Sequence, residues 1–513
     1  MRTLPPPSFR AVDSVPAWRA LAPALTLLLG QVALSGAEYS ENWASLDSRP
    51  TPEWFLDAKL GIFIHWGVYS VPAFAYPDSY SEWYWHSLRA PQEGRNERQR
   101  RNADATRAFH RRVYGDDFDY ADFAPLFKAE MFEPAQWAEI FRRAGARYVV
   151  LTSKHHDGFA LWPSGDASRT WGRPWNSAEV GPMRDLLGDL GEAVRAAGLR
   201  MGFYYSLYEW FNPLWLEDRQ RYIRSHMTPQ FKDVVSRYEP AIIFSDGEWD
   251  LEHEAWGSTE LLAWLFNESP SREEVVVNDR WGKGIRHEHG GYYTTEYGAG
   301  MADDSHPWEE NRGIGHSFGY NRNEPLENYM TGKELVWVLA DLVSRGGNLL
   351  LDVGPTSDGR IPALQQARLA ELGDWLAVNG DAIYGTRPCT VPAQWTDGER
   401  PVQEYRQYRQ QYDILKLAGL APDGDKARKM AFFTCRDGDL YAIVPGLPKG
   451  TFRLEGVRAS PGSSVTMLGL AQELDWTQES GGLRISVPHW TPEELPCRHA
   501  YTFKVESGAA ASR

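Results

Sequence analysis

The sequence predicts an α/β fold, a (β/α)8-like TIM barrel, followed by a C-terminal all-β sandwich domain. Three observations carry this expectation. Short apolar runs alternate with helical patterns from residue 59 to residue 379, the order expected of parallel βαβ units. Several of these runs end in chemistry, most plainly AIIFSDGEWD at 241–250, where four apolar residues deliver a carboxylate, Asp246, with Gly247 directly behind it. In a parallel barrel the strand C-termini form the active-site face, so a carboxylate there points to catalysis, although an N-cap or turn role gives the same residue type. Beyond Arg387-Pro388 the helical patterns give way to short strands separated by Gly, Pro and Asp turns, the spacing of a small sandwich.

Taken in order, the chain opens with Arg10 and Arg19 ahead of an apolar run at 20–34 that ends in Ser35-Gly36-Ala37. This is the pattern of a secretory signal peptide over 1–37, with an apolar core too short to span a membrane. The catalytic barrel is expected over 38–390. Its first strand, 59–67, ends in His65 and Trp66. Residues 87–118 are rich in Arg, Asn and Asp and read as a surface excursion with at most a short helix at 103–114. A helix at 134–141 stops at Gly145, and the strand 147–153 leads into Lys154-His155-His156-Asp157-Gly158-Phe159. The unit repeats through a helix at 184–197, a strand at 200–206 holding Tyr204 and Tyr205, a helix at 229–238 and the strand at 241–245. A helix at 259–266 and a strand at 275–278, entering Asp279-Arg280-Trp281, come next. The section from there to about residue 328 reads as mostly loop. A helix at 332–344, a strand at 348–353 and a helix at 363–379 close the barrel. No glycine-rich phosphate loop opens any of the helices, so a nucleotide-binding sheet is not expected.

Residues 391–428 read as a charged, Gln-rich linker or insert in which Tyr405, Tyr408 and Tyr412 fall at helical spacing. The sandwich is expected over 429–507, with strands at 430–434, 440–444, 451–454, 464–468, 483–487 and 500–505, and a disordered tail over 508–513.

Composition narrows the function. The chain has 513 residues and a formal net charge of −15, which argues against nucleic acid as a partner. Its 22 Trp and 24 Tyr suit stacking on sugar faces and equally suit a large core. The cysteines Cys389, Cys435 and Cys497 lack zinc-site spacing and allow at most one intramolecular disulfide, with one thiol left over. One glycosylation sequon is present, Asn267-Glu268-Ser269, with Pro270 behind it.

The expected strand ends gather His65, His155, His156, Tyr204, Tyr205, Asp246 and Arg280. Neutral hydrogen-bonding groups around a carboxylate are what a polyhydroxylated neutral substrate requires. A metal site built from the three histidines with an Asp is the competing reading, but neighbouring residues on a strand point to opposite faces, so His155 and His156 would need a bulge or loop to converge. No metal or cofactor is expected. Glycoside hydrolysis uses two carboxyl groups. Asp246 suits the nucleophile, being short and held on a strand end. Glu296, within Tyr292-Tyr293-Thr294-Thr295-Glu296-Tyr297, has aromatic neighbours that would desolvate it as a proton donor needs. Glu309, after Pro307-Trp308, is the alternative; a structural ion pair or a surface position accounts for either equally well.

The runs FIHWG (63–67), SEWYW (81–85), TSKHHDGF (152–159), FYYS (203–206), SDGEW (245–249), NDRWG (278–282), SFGYNR (317–322) and GGNLLLDVGPTSDGRI (346–361) together resemble the α-L-fucosidases of glycoside hydrolase family 29, in their tissue or lysosomal-type branch. The resemblance is dense over about 39–388 and loose beyond. It implies a barrel followed by a β-sandwich, and retaining, metal-free hydrolysis of terminal α-linked L-fucose from glycoproteins, glycolipids or oligosaccharides. It makes Asp246 the nucleophile and Glu296, ahead of Glu309, the acid/base. It places His65, Glu82, Trp83, His155, His156, Tyr204 or Tyr205, and Arg280 around the sugar, with Trp83 and Phe159 against its methyl group. It implies a fucosylated glycan as partner and the secretory pathway with a lysosomal or extracellular destination, and it is compatible with a homo-oligomer. Two rivals remain: a fucose-binding protein without turnover, and an α-L-galactosidase-like enzyme on the same fold. The chain departs from the family in having Asp352 where Asn is common, and its segments 87–118 and 396–428 have no family role.

Overall fold

The computed structural model describes residues 38–91, 93–402, 405 and 407–510. The expected leader at 1–37 and the end of the expected tail, 511–513, lie outside the described residues. Eight strands make one wholly parallel sheet: Leu60–Ile64 (β1), Tyr148–Lys154 (β2), Arg200–Ser206 (β3), Ile242–Asp246 (β4), Val276–Val277 (β5), Tyr293–Glu296 (β6), Trp308–Gly313 (β7) and Asn348–Val353 (β8). Their order is β5-β4-β3-β2-β1-β8-β7-β6, so the sheet curls into a barrel-like half-cylinder. Between its two edges Tyr292 donates a backbone N–H to Val277 (3.2 Å).

Six of these strands are apolar runs, and their alternation explains the layering. Phe63, Val150, Tyr204, Phe244 and Leu350 point into the barrel and pack with Tyr148 and Tyr292. Ile62, Val149, Phe203, Ile243 and Leu351 point outward to the surrounding helices. Gly61 is required where it stands, because a Cβ there would lie 2.0 Å from the Tyr148 ring. The space left by the missing side chain admits that ring to the barrel floor.

The section expected to be loop supplies β6 and β7. The apolar-run criterion does not detect β7, whose four central residues, Glu309, Glu310, Asn311 and Arg312, are all buried and polar. Two of them are held across the strands instead: Asn311 donates to the Thr295 carbonyl (2.7 Å), and Glu310 accepts from Thr295 and from the Gly298 N–H. The helix in the Arg-rich excursion is also longer than expected, Glu97–Val113, because Asn96 and Gln99 close a capping box at its start.

The C-terminal region holds antiparallel strands around a second core that includes Phe433, Val444, Leu454, Met467, Ile485 and Phe503. They are Arg387–Trp395 (β9), Lys429–Arg436 (β10), Asp439–Val444 (β11), Gly450–Glu455 (β12), Val457–Ala459 (β13), Val465–Met467 (β14), Trp476–Glu479 (β15), Gly482–Val487 (β16), Tyr501–Val505 (β17) and Gly508–Ala510 (β18). Five of them form a sheet in the order β14-β17-β11-β10-β9, and β12-β16-β15 form another. Two boundaries differ from expectation. Strand β9 crosses residue 390 and is tied to β10 by the Cys389–Cys435 disulfide, leaving Cys497 as the free thiol. Residues 508–510 pair with β13 rather than being disordered. Across the insert, the described residues hold only a short helix, Ile414–Leu417, and the tyrosines serve separate tertiary contacts. Tyr412, for example, donates its hydroxyl to Asp341 (2.8 Å), which also accepts from Arg345 (2.8 Å) and Lys429 at the junction of barrel and sandwich. Among the described residues no helix is long and apolar enough to cross a membrane.

Candidate active site

A cavity of about 540 Å³ opens over the C-terminal ends of the barrel strands and brings most of the expected residues together. Asp246 is the last residue of β4. Its Oδ1 accepts from Arg280 Nη1 (2.9 Å) and Arg286 Nη2 (3.3 Å), and its Oδ2 accepts from the Tyr204 hydroxyl (3.0 Å) with His156 Nε2 3.4 Å away. Burial alone would raise its pKa; the Arg280 charge, the His156 hydrogen bond and Arg286 outweigh it and hold the carboxyl well below the usual range. Asp246 is therefore a rigid, ionised carboxylate.

Glu296 ends β6 and faces the same cavity. It accepts from the Tyr80 hydroxyl (2.8 Å) and lies 3.4 Å from Arg280 Nη2, so one guanidinium reaches both carboxylates. Its backbone is held by the insert: Glu296 N donates to Gln407 O (2.9 Å), and Arg409 N donates to Glu296 O (2.8 Å). Glu309 is elsewhere. It pairs in register with Thr294, two residues below Glu296 along the barrel, and takes a hydrogen bond from Tyr148 at the floor. Burial pushes its carboxyl up to about 8, and it does not line the cavity.

His65, at the end of β1, lines the cavity with Nδ1 2.7 Å from Asp352 Oδ1 on β8. Burial lowers His65 to about 3, while burial and then the Glu82 charge raise Asp352 well above the carboxylate range. The departure at residue 352 thus meets a cavity histidine. His155 and His156 do converge, because the register of β2 against β3 shifts between Thr152 and Lys154 and the chain turns at once, with Gly158 N on His155 O (3.0 Å). His155 lines the cavity, stacked on Tyr204 (5.5 Å between ring centres). His156 sits behind Asp246, held by Ser206 Oγ at 2.6 Å. Glu82 is buried, accepts from the Gly319 N–H (2.9 Å) and is pushed up to about 7 by burial.

Besides Glu309, two expected residues lie away from the cavity. Tyr205 alternates to the opposite face of β3, where its hydroxyl meets Gln230 (2.9 Å) and Met227 O (3.2 Å). Phe159 packs into the core against Phe127 and Trp175, so of the two apolar candidates only Trp83 faces the cavity. Sequence reasoning in turn missed Tyr80, Trp249, Arg286, Phe318, Tyr408 and Arg409. Trp249 and Phe318 stand inside runs already singled out. Arg286 carried no signal of its own, and Tyr408 and Arg409 fell in the segment read as linker. Among the described residues no group of three or more His, Cys, Asp or Glu is arranged to hold a metal ion.

A sequence model of the α-L-fucosidase family matches residues 27–381, and one of the α-L-fucosidase C-terminal domain matches residues 424–506. The tissue α-L-fucosidase of Homo sapiens is 40% identical over 508 residues, covering 95% of this chain and 97% of that one. The α-L-fucosidase of Branchiostoma floridae is 40% identical over 480 residues, covering 91% and 96%. Among solved structures, the Thermotoga maritima α-fucosidase in complex with a mechanism-based inhibitor superposes with a TM-score of 0.71 at 35% identity, covering 91% of this chain and 99% of that one. With the barrel, the C-terminal antiparallel domain and relatives matched over nearly their whole length, the chain belongs to the α-L-fucosidase family of glycoside hydrolases.

Proposed function

We propose that the protein removes terminal α-linked L-fucose from glycans with retained configuration, Asp246 acting as nucleophile and Glu296 as acid/base. In the first step an Asp246 oxygen bonds to the anomeric carbon as the glycosidic C–O bond breaks, and protonated Glu296 gives its proton to the departing oxygen. In the second, water attacks the same carbon, Glu296 takes the water's proton, and the bond to Asp246 breaks to release fucose. The observation that carries this reading is Arg280, whose two terminal nitrogens reach Asp246 and Glu296 across one cavity. Two carboxyl groups so placed can flank one glycosidic bond, and the guanidinium keeps the nucleophile ionised.

The other cavity residues fit a neutral deoxy sugar. His65, His155 and Tyr204 offer hydrogen bonds to its hydroxyls, and Trp83 offers an apolar face to its methyl group. The Cys389–Cys435 disulfide supports residence in an oxidising compartment, in keeping with the secretory pathway and a lysosomal or extracellular destination.

The test is hydrolysis of an aryl α-L-fucoside by the wild type and by Asp246→Gly. Wild-type turnover, lost in the variant and restored by azide as fucosyl azide, is the expected result. Undiminished turnover by the variant would remove Asp246 from the mechanism. A folded wild type that binds fucose and never hydrolyses it would make this a glycan-binding protein.

A further inference from the structure

The cavity over the barrel has a neighbour. A smaller pocket of about 160 Å³ adjoins it, and Tyr80, Trp83 and Arg98 line both. The wall between them carries positive charge. Arg98 Nη1 and Arg409 Nη1 donate to the same carbonyl, Asp78 O, at 2.9 and 3.1 Å, so two guanidiniums stand side by side. Arg95 lines the smaller pocket and donates to His86 O (2.9 Å). Among the described residues no carboxylate lies within ion-pair distance of any of the three. The nearby acids are engaged: Asp78 by Arg101, and Glu296 by Tyr80 and Arg280.

Bracing a loop does not explain this arrangement. Arg95 and Arg98 each spend one N–H of a five-donor fork, Arg409 bonds through its three nitrogens to Asp78 O, the Tyr80 hydroxyl and His316 O, and none of these bonds neutralises a charge. Arg98 also lies in the first turn of the helix Glu97–Val113, the end whose dipole disfavours a cation. Placing two unpaired guanidiniums together at a positive helix end is unfavourable unless something negative joins them.

Their position says what that would be. Under the mechanism proposed above, on which this inference rests, Glu296 protonates the oxygen that links fucose to the next sugar. Arg409 donates through Nε to the Tyr80 hydroxyl (2.9 Å), and that hydroxyl donates to Glu296. The next sugar must therefore emerge past Tyr80, beside Arg409 and Arg98. We propose that Arg98 and Arg409, with Arg95 behind them, form a subsite for an anionic group, a carboxylate or a sulfate ester, on the sugar that carries the fucose. Two adjacent forks can hold such a group through paired charge-assisted hydrogen bonds. A local cationic site also offsets the repulsion that a chain of net charge −15 exerts on an acidic glycan.

The experiment compares three matched α-L-fucosyl disaccharides whose second sugar is neutral, bears a C6 carboxylate or bears a 6-sulfate, with an aryl α-L-fucoside reporting the reaction itself. At low ionic strength kcat/KM for the anionic substrates is expected to exceed that for the neutral one by about tenfold. The excess should shrink with added salt, and Arg98→Gln should bring the ratio towards one. An excess for the carboxylate, the sulfate or both supports the subsite and identifies its ligand. Equal kcat/KM across the three disaccharides while the aryl fucoside is turned over overturns the subsite alone, as does an excess that survives in Arg98→Gln. Failure to turn over the aryl fucoside overturns the reaction, and the subsite with it.

Discussion

His65 Nδ1 lies 2.7 Å from Asp352 Oδ1, on two neighbouring strands at the mouth of the barrel. With His65 lowered to about 3 and Asp352 raised well above its ordinary value, the pair is uncharged overall, and the one proton between them leaves the other ring nitrogen protonated as a donor to the cavity. At high pH the pair loses that proton and the free nitrogen becomes an acceptor. Asp352→Asn can still donate to Nδ1, so kcat/KM at acidic pH should change by less than about tenfold. Its decline towards alkaline pH should be shallower than that of the wild type. Superimposable alkaline limbs would show that the pair does not set the profile.

Arg280 has no substitute in its double reach. Arg280→Lys keeps one charge but loses the fork, so kcat/KM for an aryl α-L-fucoside should fall by about two orders of magnitude. Arg280→Ala leaves Asp246 buried with less compensation and should also destabilise the fold, by about 3–5 kcal/mol if Arg286 does not move in. Thermal and denaturant melts alongside the kinetics separate the two effects.

Glu296 and Glu309 can be told apart by leaving group. Glu296→Gln should lower turnover of a natural fucosyl linkage by about 10²–10⁴-fold, and affect an activated aryl fucoside much less in its first step. Glu309→Gln replaces a carboxyl that burial already keeps neutral at pH 7, so activity on both substrates should stay close to wild type. The reverse pattern would exchange their roles.

Stability should fall as pH rises from about 6.5 to 8. Glu82, Glu310 and Glu324 are raised by burial from 4.5 to about 7, and Glu309 to about 8. In this window the unfolded chain has released those protons and the folded chain still holds them, so the folded state binds more protons and loses stability with rising pH. Their contribution is complete below 4.5 and is lost through 7 to 8. The buried histidines His65 and His155 oppose this only below their unfolded value of 6.5, where the unfolded chain takes up protons that they refuse. A melting temperature that is flat or rising between pH 6.5 and 8 would contradict the assignment.

The barrel strands that announce themselves in the sequence are those whose buried faces are apolar, such as Ile242–Phe244 leading to Asp246. Strands β6 and β7 do not, because Thr295, Glu310 and Asn311 are buried through hydrogen bonds made to one another across the sheet, and Thr294 through bonds to Asp279 and Arg280. Those bonds depend on register, which no local pattern encodes. The same blindness leaves only the family resemblance to rank Glu296 ahead of Glu309, although the pairing of Thr294 with Glu309 puts one at the rim and the other at the floor. Tyr205 and Phe159 were drawn in with their motifs, and the alternation of β3 suffices to dismiss the first. Tyr408 and Tyr412 mimic a helical stripe, yet one covers Arg286 (4.7 Å) and the other binds Asp341. Tertiary partners, not local periodicity, set that spacing.

The insert steadies Glu296 through main-chain atoms on both sides, Gln407 O and Arg409 N. Such bonds are indifferent to which side chains the insert carries and sensitive to how many residues it spans. Point changes at Gln407 should therefore be absorbed, whereas adding or removing a single residue between Tyr405 and Tyr412 would slip the support past Glu296, shift Tyr408 and Arg409 in the cavity wall and disarm the enzyme. For the support of Glu296, length rather than identity is what this stretch has to preserve, while Tyr408 and Arg409 act in the cavity wall through their side chains.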